Sequence, residues 1–375
     1  MSKYRAGAIG STGKGNWGHG LDVAFVGVSD VDFVSIADDD PEGLKAATER
    51  TGAKASFIDY HEMLNKENLD FVAVCPRWVG SHRDMITAAA EAGVKGIFCE
   101  KPFAPTLVDA DAMIETCERT KTRVVVAHQR RANPYERYAK KLIRDGAIGD
   151  LLTIKAHGKS DLRSGSQDLV VLGTHILDSI RFIVDSTVLW ATGHVTQNGH
   201  DVTLNDVKSG TEEIGLIAGN GVSAYYAFEN GVSAYFDSLP RDMSGNNTDS
   251  AFGYEIYGTK AILSMRTLPE GNMFIHEYNQ WLPGSKNEEW KPIILDDWGI
   301  ISSEYISLSN EIIVRELIDA VKNNRELVDV STDTDGRAAL EMIMAVHESQ
   351  RIGGRVSFPM INRENPYEVW RRETA

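Results

Sequence analysis

Gly96-Ile97-Phe98-Cys99-Glu100-Lys101-Pro102 reads as a short buried strand that ends in a charged pair and is stopped by proline. In an open parallel α/β sheet, ligands sit just beyond the carboxyl ends of the strands. Most lysines lie on helical surfaces. One at a strand end, followed at once by proline, is placed to touch a substrate, provided the surrounding chain builds such a sheet.

The flanking sequence supplies that setting. Short apolar runs at Tyr4–Ile9, Phe33–Ala37, Phe71–Cys75, Gly96–Cys99 and Val124–Ala127 alternate with helical patterns at Pro41–Thr51, His82–Ala92 and Leu107–Arg119. Strands and helices in alternation argue for βαβ units, a parallel sheet and right-handed crossovers, hence a doubly wound α/β domain. The texture changes after about residue 130. Pro134–Asp145 reads as an amphipathic helix closed by Gly146, Leu151–His157 as a strand and Leu169–Val184 as one long apolar helix. From Leu189 to Ile294, strand signals are separated by turn residues at 219–221, 229–231 and 258–260, which predicts a largely antiparallel sheet. Helical patterns return at Ser302–Asn323 and Asp335–Ile352. The expected division is a dinucleotide-binding domain over 1–130 and a second α/β domain over 131–375.

Composition narrows the function classes. A chain of 375 residues suits two domains, and 42% hydrophobic with 25% charged residues is ordinary for a globular protein. A net charge of −15 argues against a nucleic-acid surface. Cys75, Cys99 and Cys117 show neither paired nor metal-type spacing, so buried reduced thiols and no metal are expected. The chain enters its first strand without an apolar leader and holds no run of ~18 apolar residues, which points to the cytoplasm and away from a membrane.

The first strand leads into Gly10-Ser11-Thr12-Gly13-Lys14-Gly15-Asn16-Trp17-Gly18. Glycines here let the backbone turn tightly and admit a pyrophosphate near a helix N-terminus. Two registers compete, one beginning at Gly10 and one using Gly13, Gly15 and Gly18. Asp38 ends the second strand 20 residues after Gly18, where an acid can bind the adenosine ribose hydroxyls. No arginine follows in Asp38-Asp39-Asp40-Pro41-Glu42, so a 2′-phosphate would meet like charge, and NAD is favoured over NADP. Asp39 or Asp40 can instead cap the next helix, with Pro41 at its first position.

Taken together, these residues resemble the glucose–fructose oxidoreductase / inositol dehydrogenase (Gfo/Idh/MocA) family over nearly the full length. The likeness includes the Gly10–Gly18 loop, Pro76-Arg77-Trp78-Val79-Gly80-Ser81-His82 and Glu100-Lys101-Pro102. Farther on it includes Gly173-Thr174-His175-Ile176-Leu177-Asp178, Tyr257-Gly258-Thr259-Lys260-Ala261, Gly336, Glu348-Ser349, Gly354-Arg355-Val356 and Pro359. The resemblance implies a Rossmann domain, a second domain with a large open sheet through which subunits associate as dimers or tetramers, and hydride transfer between nicotinamide and a sugar, cyclitol or related polyol. It implies Lys101 as the lysine at the reacting hydroxyl and His175 as the catalytic histidine. The family often has an aspartate four residues before that histidine; Val171 stands there instead, and the glycine loop carries an extra Gly-Lys-Gly-Asn-Trp segment.

Histidine suits the proton acceptor, because its ordinary pKa of about 6.5 lies near working pH. A lysine ammonium stabilises the charge that develops on the oxygen. The cofactor set expected is Gly10, Ser11, Thr12, Gly13, Gly15, Asp38, Pro76, His82, Glu100 and Lys101. His157, Asp161, Arg163 and Asp168 are the candidates for substrate hydroxyls, with Asp168, Asp161 or Asp178 able to orient His175 in place of the absent acid. Trp17 and Trp78 could stack on nicotinamide or sugar, and Arg130 or Arg131 could lie under the cofactor. Two other readings stand beside the dehydrogenase. One is a relative that oxidises transiently, eliminates or hydrolyses and reduces again; the other is a non-catalytic sensor of nucleotide and sugar.

Overall fold

The computed structural model describes residues 3–240, 252–266, 273–278, 289–295 and 304–374. Through the first third of the chain the order is β1 (Tyr4–Ile9), β2 (Val31–Ala37), α1 (Pro41–Thr51), β3 (Ala55–Phe57), α2 (Tyr60–Glu67), β4 (Phe71–Val74), α3 (His82–Glu91), β5 (Gly96–Cys99), α4 (Leu107–Thr120) and β6 (Arg123–Val126). Next come α5 (Pro134–Arg144), β7 (Leu151–His157), α6 (Ser166–Val171), α7 (Gly173–Val184), β8 (Val188–Gln197) and three short strands, β9 (His200–Asp201), β10 (Lys208–Ser209) and β11 (Leu216–Ile217). The remainder is β12 (Gly221–Phe228), β13 (Ser233–Ser238), β14 (Gly253–Gly258), β15 (Ile262–Arg266), β16 (Met273–His276), β17 (Lys291–Ile293), α8 (Tyr305–Asn323), α9 (Asp333–Ile352), β18 (Val356–Ser357) and α10 (Pro366–Thr374).

Two compact units form. The first comprises residues 1–132, 211–215 and 306–338; the second comprises 133–210, 216–305 and 339–375. The expected division after 130 lies two residues from the end of the first segment at Ala132. What a linear reading does not contain is the return of 306–338. Its α8 supplies Ile313, Val314, Leu317 and Ile318 to the same apolar core as Ala6, Ala8, Phe71, Phe98 and Val125.

In the first unit six parallel strands lie in the order β3-β2-β1-β4-β5-β6. Local chemistry marks the helix ends. Asp40 accepts from Gly43 N at 2.7 Å, Pro41 occupies the first turn, and Gly52 closes α1 at φ 69°. The short β3 and α2 were not among the expected elements. One departure bears on ligand binding. The crossover from β1 to β2 contains no α-helix, only a 3-10 turn at Leu21–Val23. A helix N-terminus for a pyrophosphate, expected from the sequence, is therefore absent from this crossover.

The second unit is built on a ten-stranded sheet, among the described residues, in the order β17-β16-β15-β14-β7-β13-β12-β8-β18, with β9 on β8. Its neighbours are antiparallel except β13 and β7, which run parallel. Ile154, Ala156, Ala234, Phe236, Tyr254 and Ile256 alternate inward and are buried. The apolar stretch expected as one helix over Leu169–Val184 is two, α6 and α7, broken at Leu172 with φ −115° and ψ −37°. Continuous apolarity hid that break. The helix expected from Ser302 begins at Tyr305 among the described residues, and Ser302 lies outside them.

Candidate active site

Strand order in the first sheet reverses between β1 and β4, and a ligand crevice opens beyond the carboxyl ends at such a point. The Gly10–Gly18 loop follows β1, Pro76 follows β4 and the Glu100-Lys101 pair follows β5, so all three motifs converge there.

Within the loop, Asn16 N donates to Ser11 O at 3.0 Å and Gly13 N donates to the Asn16 side chain at 2.9 Å. Gly13, Gly15 and Gly18 have φ of 85°, 89° and 57°, a region that favours glycine. Gly10 is needed for another reason: a Cβ there would lie 2.5 Å from the Trp17 ring. Both competing registers are thus used, one for curvature and one for packing. Trp17 is 9% exposed and sits in the core, so it is not a stacking platform. Around Gly13 nothing lies within 4 Å of where a Cβ would stand, which leaves the backbone open to a phosphate.

Three aspartates end β2, and they do different things. Asp38 is buried; its Oδ1 accepts from Thr12 N and Asp40 N, both at 3.0 Å, and its Oδ2 accepts from Thr12 Oγ1 at 2.7 Å. Asp40 caps α1. Asp39 is the exposed one, and its Oδ1 accepts from Ser11 Oγ at 3.0 Å.

Glu100 is fully buried. Burial pushes its carboxyl up, yet the His19 ring beside it and Lys101 outweigh that and hold it down at about 2. His19 Nδ1 contacts Oε1, His19 N donates to the same oxygen at 3.2 Å, and Lys101 N donates to Oε2. Gly18 has no room for a side chain against Glu100, with a Cβ meeting Cγ at 2.6 Å. Glu100, expected as a cofactor ligand, ties the glycine loop to the lysine turn. Asn310 Nδ2 donates to His19 O at 2.9 Å and extends the tie to α8. His19 was absent from the residues singled out in the sequence; a polar residue beside Gly18 carries no pattern of its own.

Lys101 is 2% exposed, at the end of β5. His82 is buried between two carbonyls, Pro76 O at 2.7 Å from Nε2 and Phe103 O at 3.2 Å from Nδ1. Burial lowers its pKa against those hydrogen bonds. His82, expected near a cofactor, clamps two strand-end loops together. Arg131 donates to Val330 O at 3.2 Å and pairs with Asp335 at 3.0 Å, which binds it into the first unit. All three cysteines are free and buried.

In the second unit, His175 lies on α7, half-buried, with Val171 buried in α6. Asp178 is fully buried on α7. Asp168 Oδ2 accepts from Ser160 N at 2.8 Å and Ser238 Oγ at 2.5 Å, and burial raises its pKa. These bonds make it a brace for the 158–165 loop. His157 stands on the sheet face opposite the buried side chains. Its Nδ1 is 2.8 Å from Asp237 Oδ2 and its Nε2 is 3.5 Å from Glu255 Oε2. On the loop that follows, Asp161 and Arg163 pair with each other, and the Arg163 hydrogen bond lowers the Asp161 pKa. Among the described residues, no cluster of His, Cys, Asp and Glu is arranged to hold a metal ion, and no helix is long and apolar enough to cross a membrane.

Comparison with known proteins bears on the family and the fold. Residues 6–128 match the family model described as "Oxidoreductase family, NAD-binding Rossmann fold". A D-apiose dehydrogenase of Paraburkholderia graminis is 28% identical over 355 residues, covering 92% of this chain and 87% of the relative. A myo-inositol 2-dehydrogenase of Thermotoga maritima is 22% identical over 282 residues, 71% of this chain and 81% of the relative. A solved structure of levoglucosan dehydrogenase with NADH and L-sorbose aligns with a TM-score of 0.74 at 20% identity, covering 96% of this chain and all of that one, a likeness of fold.

Proposed function

We propose that this chain, whose residues 6–128 match an NAD-binding Rossmann oxidoreductase family model, is a Gfo/Idh/MocA-type NAD-dependent dehydrogenase acting on a secondary hydroxyl of a sugar, cyclitol or glycoside. The observation that carries this is Lys101, buried at the end of a parallel strand beside the point where the strand order reverses. Nicotinamide, when bound, supplies the hydride acceptor or donor. Gly13, Gly15 and the neighbouring loop backbone would hold the dinucleotide, with an acid at the end of β2 on the ribose.

Lys101 is assigned the hydrogen bond to the reacting oxygen, which stabilises the negative charge that grows as the carbinol hydrogen leaves. Its burial leaves few competing waters for the ammonium, which makes that interaction stronger. His175 is assigned the hydroxyl proton. Val171 lies across the break between α6 and α7 from His175 and supplies no carboxylate to orient the imidazole. Asp161 and Arg163 are the polar groups offered to other hydroxyls. His157 is left out of that set because it faces Asp237 and Glu255 on the sheet, and Asp168 because it is fully buried. We place the enzyme in the cytoplasm, as a homodimer or homotetramer associating through the open sheet.

The test is a panel of cyclitols, aldoses and glycosides scored by NADH absorbance. Stoichiometric NADH is expected with at least one class; product formed without net NADH would instead indicate the transient-oxidation chemistry. Lys101→Ala should retain NAD binding and lose turnover by a factor of ~10² or more. Unchanged turnover in that variant would sink the role given to Lys101.

A further inference from the structure

We infer that Asp39, rather than Asp38, is the residue that takes the adenosine ribose and excludes a 2′-phosphate, while Asp38 is a structural clasp for the glycine loop. The inference rests on the NAD-dependent reading above and sharpens it. Position along the strand favours Asp38, since it is the first acid after β2. The side-chain geometry does not.

Asp38 is 1% exposed and its carboxylate already accepts three hydrogen bonds, from Thr12 N, Thr12 Oγ1 and Asp40 N. A carboxylate has about four acceptor sites, so at most one remains for a diol that offers two donors. Thr12 also packs directly on the first turn of α1, where a Cβ on Gly43 would lie 1.9 Å from its Oγ1, so the clasp joins the glycine loop to that helix. Asp40 is committed too, as the cap of that helix.

Asp39 alone of the three is exposed. Its Oδ1 is fixed by Ser11 Oγ at 3.0 Å, which anchors the carboxylate beside the glycine loop. No described residue donates to Oδ2. A carboxylate held at one oxygen and open at the other, next to the loop that would carry the pyrophosphate, is arranged to accept from vicinal hydroxyls. The same negative charge would repel a phosphate in place of the 2′-hydroxyl, and no described basic side chain pairs with it. That the surrounding fold takes a dinucleotide is supported separately by the family match over residues 6–128.

The experiment is calorimetric binding of ADP-ribose and its 2′-phosphorylated analogue, and of NAD and NADP, to the full-length chain, with melting temperature recorded alongside. Wild type should prefer the unphosphorylated ligands. Asp39→Asn should keep the wild-type melting temperature, weaken ADP-ribose tenfold or more, since it loses hydrogen bonds to a charged acceptor, and shrink the preference over the phosphorylated analogue. Asp38→Asn should lower the melting temperature and leave that preference in place. Thr12→Val, which removes only the hydroxyl donor, is the milder second probe and should show the same pattern. An Asp39→Asn protein with the wild-type preference, or a folded Thr12→Val protein that has lost it, would overturn the assignment. Wild type that bound neither NAD nor ADP-ribose would instead bring down the dehydrogenase reading on which the assignment stands.

Discussion

Glu100 shows how a buried charge at a strand end can serve position rather than binding. Removing a carboxylate from water is costly unless it is paired and hydrogen-bonded, and His19 with the Lys101 amide meet both conditions. The contrasting case is His347, 1% exposed, with neither ring nitrogen hydrogen-bonded and its ring 5.0 Å from Tyr367. Burial alone depresses its pKa to about 4 from 6.5. A base whose folded pKa lies below its unfolded value loses stability as pH falls, because the unfolded chain takes the proton first. The contribution is complete above pH 6.5 and fades down to about pH 4, for a total on the order of 3 kcal/mol. Urea unfolding of wild type and His347→Leu across that range should show the variant with the flatter profile; parallel profiles would refute the assignment. Residue roles of this kind were the least legible in the sequence. Asp38, Asp39 and Asp40 are chemically identical there, and only hydrogen-bond geometry separates clasp, open acid and cap.

Among the elements, strand alternation was legible and continuity was not. The strands Tyr4–Ile9, Gly96–Cys99 and Leu151–His157 end where the apolar and turn residues end. The division of α6 from α7 left no trace, because both pieces are apolar and both pack inward. Gly173, at the start of α7, has the Phe236 ring 3.0 Å from where a Cβ would stand, so the break brings helix and sheet together closely. The opposite sheet face carries a row set by register: Thr192, Tyr225, Tyr235, Lys155 and Glu255 lie side by side across five strands. Trp190 and Tyr225 are 5.1 Å apart, as are Tyr225 and Tyr235, and Tyr235 is 45% exposed. A cluster of partly exposed aromatics on an open sheet face suits a protein interface. Tyr235→Asp is expected to lower the mass found by sedimentation while leaving the melting transition of the monomer cooperative; unchanged association would place the contact elsewhere.

At the scale of the whole molecule, the dinucleotide-binding unit is completed by residues far along the chain. Val314 and Leu317 of α8 are fully buried in its core, and a Cβ on Gly96 would come within 3.1 Å of Leu317 Cδ1. The glycine that opens the Gly96–Pro102 motif is thus where α8 packs. Leu317→Ala should cost about 2–5 kcal/mol by leaving a cavity, and NAD binding should weaken or become more temperature-sensitive in the same variant. A calorimetric loss below ~1 kcal/mol would show that α8 contributes little to that core. The sequence by itself determined the fold class and the two motifs at the first sheet's carboxyl edge, because hydrophobic period, glycine placement and strand-end charge are local properties. Only the tertiary structure decided which acid is open, which histidine holds Glu100 and which late helix closes the first core. Those outcomes depend on groups distant in sequence competing for the same space and the same hydrogen bonds.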